Sequence, residues 1–128
     1  MTIDNVMLGA VRHYLMGTAS VARMIHSEIA ETGRSLDYVI LKDGRTLGGD
    51  IASAKQSFLR DCKEMLKDPV PEQYSHTPNY HLRPKDRTFL TELYTKGEKA
   101  DWRKPEELDA LRLYIDEYAP HGGFESGQ

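Results

Sequence analysis

Residues 3–33, IDNVMLGAVRHYLMGTASVARMIHSEIAETG, form the longest periodic stretch of the chain, and their reading decides the fold. On a helical wheel of about 100° per residue, Met7, Val11, Tyr14, Thr18, Ala22, Ile25 and Ile29 fall within about 80° of one another. Val21, Ala10 and Ile3 widen that stripe on one side and Leu15 on the other, while Arg12, Ser20, Arg23 and Ser27 point away. An apolar arc this broad predicts a helix at the centre of the fold, touched by neighbours on several sides. Gly17 is its questionable position. A glycine inside a helix costs about 1 kcal/mol against alanine, and Thr18 or Ser20 offers a cap for a fresh start. The stripe keeps its phase across Gly17, so one helix, at most mildly kinked, is expected. A helix-turn-helix with Gly17 at the turn fits poorly, because His13 stands where a small residue belongs and Arg23 where a buried aliphatic belongs.

Gly33 is placed to cap the C-terminus of this helix. Leu36 to Leu41, LDYVIL, suits a strand, and Lys42-Asp43-Gly44-Arg45 is a hairpin turn signal that leads into a short return strand, Arg45 to Leu47. Asp50 is the expected cap of a second helix reaching about Lys67, with Ile51, Ala54, Phe58, Cys62 and Met65 on its inner face. Residues 69–84 hold four of the six prolines and show no period, which predicts a long loop. A third helix is expected over Lys85 to Lys96, with Phe89, Leu90, Leu93 and Tyr94 inward and Gly97 ending it. A fourth starts at Pro105, preceded by Asp101 or Lys104, with Leu108, Leu111, Ile115 and Tyr118 inward and Pro120 ending it. The fold class expected is therefore α+β, mainly α: about four helices, one short β-hairpin between helices 1 and 2, and the second and fourth helices flanking the first. Residues 1–120 would form one domain and 121–128 a flexible tail.

The totals agree with this picture. A chain of 128 residues that is 39% hydrophobic and 29% charged has the composition of an ordinary globular domain, which argues against wholesale disorder. One cysteine leaves no internal disulfide and no Cys-rich zinc site, and Cys62 on an apolar helix face reads as a buried, inert thiol. The first residues lack a basic leader followed by an apolar run, and no stretch approaches the length of a membrane span, so a cytoplasmic location without membrane attachment is expected. A net charge of −3 argues against a dedicated nucleic-acid binder. The charge is uneven, however. Residues 71–104 carry seven cations against five carboxylates, and residues 105–128 carry one against six.

Several clusters invite a chemical reading, and none compels one. Tyr74, His76, Tyr80, His81, Arg83, Lys85 and Arg87 interleave rings with cations, which suits stacking on bases while neutralising phosphates. His76 and His81 would need Glu72, Asp86 or His121 to complete a metal site, and no metal signature supports one. His13 and His26 lie about 140° apart around the first helix and cannot form one site. Glu28, at the edge of the apolar arc, would be a general acid or base only if buried. DGRTLGG matches no phosphate-loop pattern, and Asp50 would repel phosphate there. The fourth helix gathers Glu106, Asp109, Asp116 and Glu117 around Leu113 opposite its apolar face, with Tyr114 and Trp102 nearby. An acidic face carrying an exposed leucine suits a protein partner. The functional expectation is accordingly a small non-enzymatic binding protein, an adaptor, regulator or inhibitor, that needs no cofactor or metal. The alternative is nucleic-acid or phosphate binding through the loop 74–87. The breadth of the first helix's apolar arc and the hairpin's open edges make a homodimer reasonable.

Overall fold

Asp4 opens the first helix by accepting a hydrogen bond from the Val6 N–H at 3.0 Å. The structure, a computed structural model, describes residues 2–40, 42 and 44–119. From Asp4 the chain winds without a break to Thr32. We call this helix α1, and it has three parts: α-helical Asn5–Ala10, a π-helical segment Val11–Met16, and α-helical Gly17–Thr32. The Gly17 N–H reaches back five residues to the Arg12 carbonyl, the hydrogen bond of a π turn. Gly33, with φ of 72°, then closes α1 in the left-handed conformation expected of it.

The π segment corrects the phase of the apolar stripe. A π turn holds about one residue more than an α turn, so every position beyond it rotates by one place. The buried residues there are Leu15, Met16, Ala19, Ala22 and His26. Tyr14, Thr18, Ile25 and Ile29, expected at the centre of the stripe, lie at its edge. Val21, also expected inward, is 54% exposed. The helix is continuous, but its phase is not kept.

The expected β-hairpin does not form, and the fold is mainly α rather than α+β. Among the described residues the segment after α1 makes one isolated bridge, Val39 to Thr46, and no strand. Of the residues read as a return strand, Leu47 belongs to the next helix, α2, Leu47–Met65. Thr46, not Asp50, caps it by accepting from the Gly49 N–H at 2.9 Å. The Leu47 and Gly48 N–H groups of its first turn donate to the carbonyls of Tyr38 (3.1 Å) and Leu36 (2.8 Å). The segment between the two helices thus satisfies open amides of α2 instead of building a sheet. Asp50 lies in the first turn and pairs with Arg45 at 2.9 Å.

The proline-rich stretch is more ordered than a plain loop. It contains a short helix, α3, Glu72–Ser75, and a bridge between Val70 and Tyr80. Helix α4 covers Pro84–Lys99 and α5 covers Pro105–Tyr118, each with proline in its first turn. Gly97 does not end α4. It lies inside the helix, where Phe58 occupies the space a side chain would fill: a Cβ there would stand 2.5 Å from the ring. Helices α2 and α5 pack on the two flanks of α1, as expected, and α4 packs on α2 and α5. The four long helices enclose a core that includes Met7, Val11, Leu15, Ile51, Phe58, Met65, Phe89, Leu90, Leu93, Leu108 and Ile115.

Trp102, read from the sequence as a surface residue near the acidic helix, is buried. Its ring meets Phe58 edge-on at 5.3 Å, and its Nε1–H donates to the Gly97 carbonyl at 2.9 Å. His26 Nε2 lies 2.7 Å from the Trp102 carbonyl. A carbonyl only accepts, so this ring nitrogen carries the proton. One ring, one indole and one imidazole thus lock the α4–α5 connection onto α1 and α2. Residues 120–128, which include Pro120, His121 and the expected tail, lie outside the described residues.

Candidate functional site

Leu108, Leu111 and Ile115 bury the inner face of α5, and that choice fixes where its carboxylates go. Asp109 turns towards α1, where it accepts from Arg23 at 2.9 Å and meets Arg112 of its own helix at 3.4 Å. Arg112 also donates to the Ser20 hydroxyl at 3.2 Å. Asp116 is half-buried. Glu106 and Glu117 remain in solvent, and Leu113 between them is 64% exposed. The acidic face read from the sequence is therefore divided. Asp109 belongs to a polar seam with α1, whereas Leu113, Glu106 and Glu117 stay open.

On the other side of Leu113 a groove of about 620 Å³ runs between α4 and α5. Its α5 wall is Glu107, Ala110, Leu111, Leu113, Tyr114 and Glu117, and Thr95, Lys96, Lys99 and Ala100 close it from α4. The walls thus carry opposite charges above an apolar floor. Tyr114 is held in place by donating its hydroxyl to Glu92 at 2.8 Å and by Lys96, which lies 4.8 Å over the ring. Glu107 is partly committed, since it accepts the Asp101 N–H at 2.7 Å. Lys96 and Lys99 were not singled out from the sequence. Lys99 lies beyond the helix end expected at Gly97, and nothing local shows that this side of α4 faces α5.

The loop cluster is brought together differently. Tyr74 is buried and donates its hydroxyl to Asp61 at 2.8 Å. Arg83 grips the buried Asp86 with two hydrogen bonds, at 2.7 and 3.0 Å, and donates to the Thr2 carbonyl at 3.1 Å. Arg87 donates to the Leu66 carbonyl at 2.9 Å, and His81 pairs with Asp68. Tyr80 is half-buried. His76 and Lys85 are exposed. The loop's two arginines are thus directed at the protein's own carboxylate and carbonyl oxygens.

Three tyrosines near carboxylates give the molecule an alkaline signature. Burial, then Asp61, raises the Tyr74 hydroxyl; burial, then Asp4, pushes Tyr80 up to about 12; burial, then Glu92, raises Tyr114. A raised phenol favours the fold while it keeps its proton. That stability is complete below the ordinary tyrosine value of 10.0 and is lost as the pH climbs through the folded values. Stability is expected to hold to about pH 9 and then fall by up to about 1.4 kcal/mol per pH unit for each tyrosine still protonated. Urea midpoints measured across this range, with Tyr74→Phe reducing the slope, check it. A flat profile to pH 12 would contradict it.

The remaining candidates are simply placed. Glu28 is exposed and pairs with Arg34 at 3.3 Å. Cys62 is buried, and burial raises its thiol well above the usual range, which keeps it unreactive. Among the described residues no group of three His, Cys, Asp or Glu side chains is positioned to hold a metal ion. Nor is any helix among them long and apolar enough to cross a membrane. The sequence matches no protein-family model, and comparison with curated proteins and with solved structures returns no match.

Proposed function

We propose that this is a cytoplasmic, non-enzymatic binding protein that holds another protein in the α4–α5 groove. The observation that carries this reading is Leu113, 64% exposed at the rim of an apolar groove whose walls carry opposite charges. A large exposed aliphatic beside a concave apolar surface is the arrangement that anchors a partner's side chains, and flanking charges orient the partner more than they hold it. An amphipathic helix suits the site best. Its apolar stripe would lie over Leu111 and Leu113, its cations would face Glu117 and its carboxylates Lys96 and Lys99.

A central anchor of this kind is worth about 2 kcal/mol or more, so Leu113→Glu is expected to weaken partner binding roughly 30-fold or more. Because Leu113 is exposed, the variant should melt like the parent. Affinity capture by the parent, by Leu113→Glu and by a Val6→Glu control tests the reading. If Leu113→Glu retained the same proteins as the parent, or if the parent retained none, the groove would not be the binding site.

A further inference from the structure

We infer that the occupant of the α4–α5 groove is a second copy of this chain, related by a two-fold axis parallel to the two helices. The inference rests on the binding role proposed for the groove and names its partner. Unspent charges on this face carry it. Helices α4 and α5 run antiparallel, with Phe89 against Tyr118 and Lys96 against Tyr114, so the first turn of each lies beside the last turn of the other. Towards its two ends α4 exposes a lysine, Lys85 and Lys99, and α5 exposes a glutamate, Glu106 and Glu117. These four side chains have no ion-pair or hydrogen-bond partner among the described residues. The exposed carboxylates of α4 do not cancel its lysines. Glu92 accepts the Tyr114 hydroxyl, and Glu98 falls on the side of the helix turned from α5.

A face with an acidic half and a basic half is complementary to itself, and charge selects how. A half-turn about an axis between the helices, and parallel to them, sets α5 of each copy on α4 of the other. Glu117 then meets the second copy's Lys85 and Glu106 meets its Lys99, and the symmetry makes each contact twice. A half-turn about an axis across the helices would lay α5 on α5, glutamate against glutamate. A single foreign helix answers the charges of one wall, whereas a second copy answers both. Between the charges, Leu113 of one copy lies over Thr95 of the other, because Tyr114 stands level with Glu92 and Lys96. The Thr95 hydroxyl is already spent on the Thr91 carbonyl at 3.1 Å, so the surface under Leu113 needs no further polar partner. The exposed charges orient this contact, and Leu113 anchors it.

Sedimentation of the full chain over a concentration series should show a monomer–dimer equilibrium that Leu113→Glu abolishes. Glu106→Lys combined with Glu117→Lys is expected to raise the dissociation constant about tenfold or more. Adding Lys85→Glu and Lys99→Glu to the same chain should restore it, with circular dichroism melts checking that each variant stays folded. Thr95→Cys protein mixed with Leu113→Cys protein should cross-link on oxidation, Cys62 being buried. A chain monomeric at every concentration would overturn the inference, and the affinity-capture test of the groove would then stand by itself. A dimer that survives Leu113→Glu, a charge-swapped chain that does not recover, or Leu113→Cys cross-linking preferentially with itself would overturn it as well.

Discussion

Phe58→Ala is expected to destabilise the protein by about 3–5 kcal/mol, the cost of emptying a large, fully buried aromatic site. Phe58 is completely buried on α2, and its ring touches two features that hold the fold closed: Trp102 edge-on, and the bare backbone of Gly97. Removing the ring leaves a cavity and also withdraws the wall against which Trp102 rests. The His26 and Gly97 hydrogen bonds to Trp102 would then have to hold the α4–α5 connection without that packing. Urea unfolding followed by tryptophan fluorescence measures both effects, because Trp102 is the chain's one tryptophan. A loss below about 1 kcal/mol would mean that the ring does not hold the α4–α5 connection in place.

Gly97→Ala is the second large effect, and its sign separates local from tertiary control. Inside an exposed helix this change is favourable by about 1 kcal/mol, since alanine is the better helix former. Here the new methyl would stand 2.5 Å and 2.9 Å from two carbons of the Phe58 ring, which is fully buried and packed edge-on against buried Trp102. Overpacking of this kind costs about 1–3 kcal/mol, so net destabilisation is expected. Phe58→Leu, which shortens the obstructing side chain, should relieve part of the loss. The two sites touch, so a double-mutant cycle should show a coupling of about 0.5–3 kcal/mol. Additive effects, or a stabilised Gly97→Ala protein, would contradict the close approach.

Much of this architecture was legible because the apolar periods of the second, third and fourth helices are undisturbed. Phe58, Cys62 and Met65, Phe89, Leu90 and Leu93, and Leu108, Leu111 and Ile115 are all buried as their spacing predicts. Gly33 and Pro105 marked helix ends for equally local reasons. Where the reading failed, a competing interaction outweighed the local signal. Arg45 to Leu47 read as a return strand, but Thr46 capped α2 and the helix's first amides took the carbonyls of Tyr38 and Leu36. Gly97 read as a helix end, and Trp102 as a surface ring, because their mutual packing with Phe58 joins residues far apart in sequence.

The candidate sites divide along the same line. Leu113, Glu106 and Glu117 could be placed outward from the sequence alone, since the opposite face of their helix is uniformly apolar. That Asp109 would be drawn to Arg23, and that Lys96 and Lys99 would form the other wall of a groove, depends on how α5 sits between α1 and α4. The first helix shows the division most clearly. By itself the sequence determined that residues 3–33 would be one long central helix, because no other stretch carries so broad an apolar arc. Which of its side chains face the core was decided only in the tertiary structure. One π turn, closed by the Gly17 N–H on the Arg12 carbonyl, rotates everything after it by a single residue, burying Ala19 and His26 and turning Val21 out to solvent.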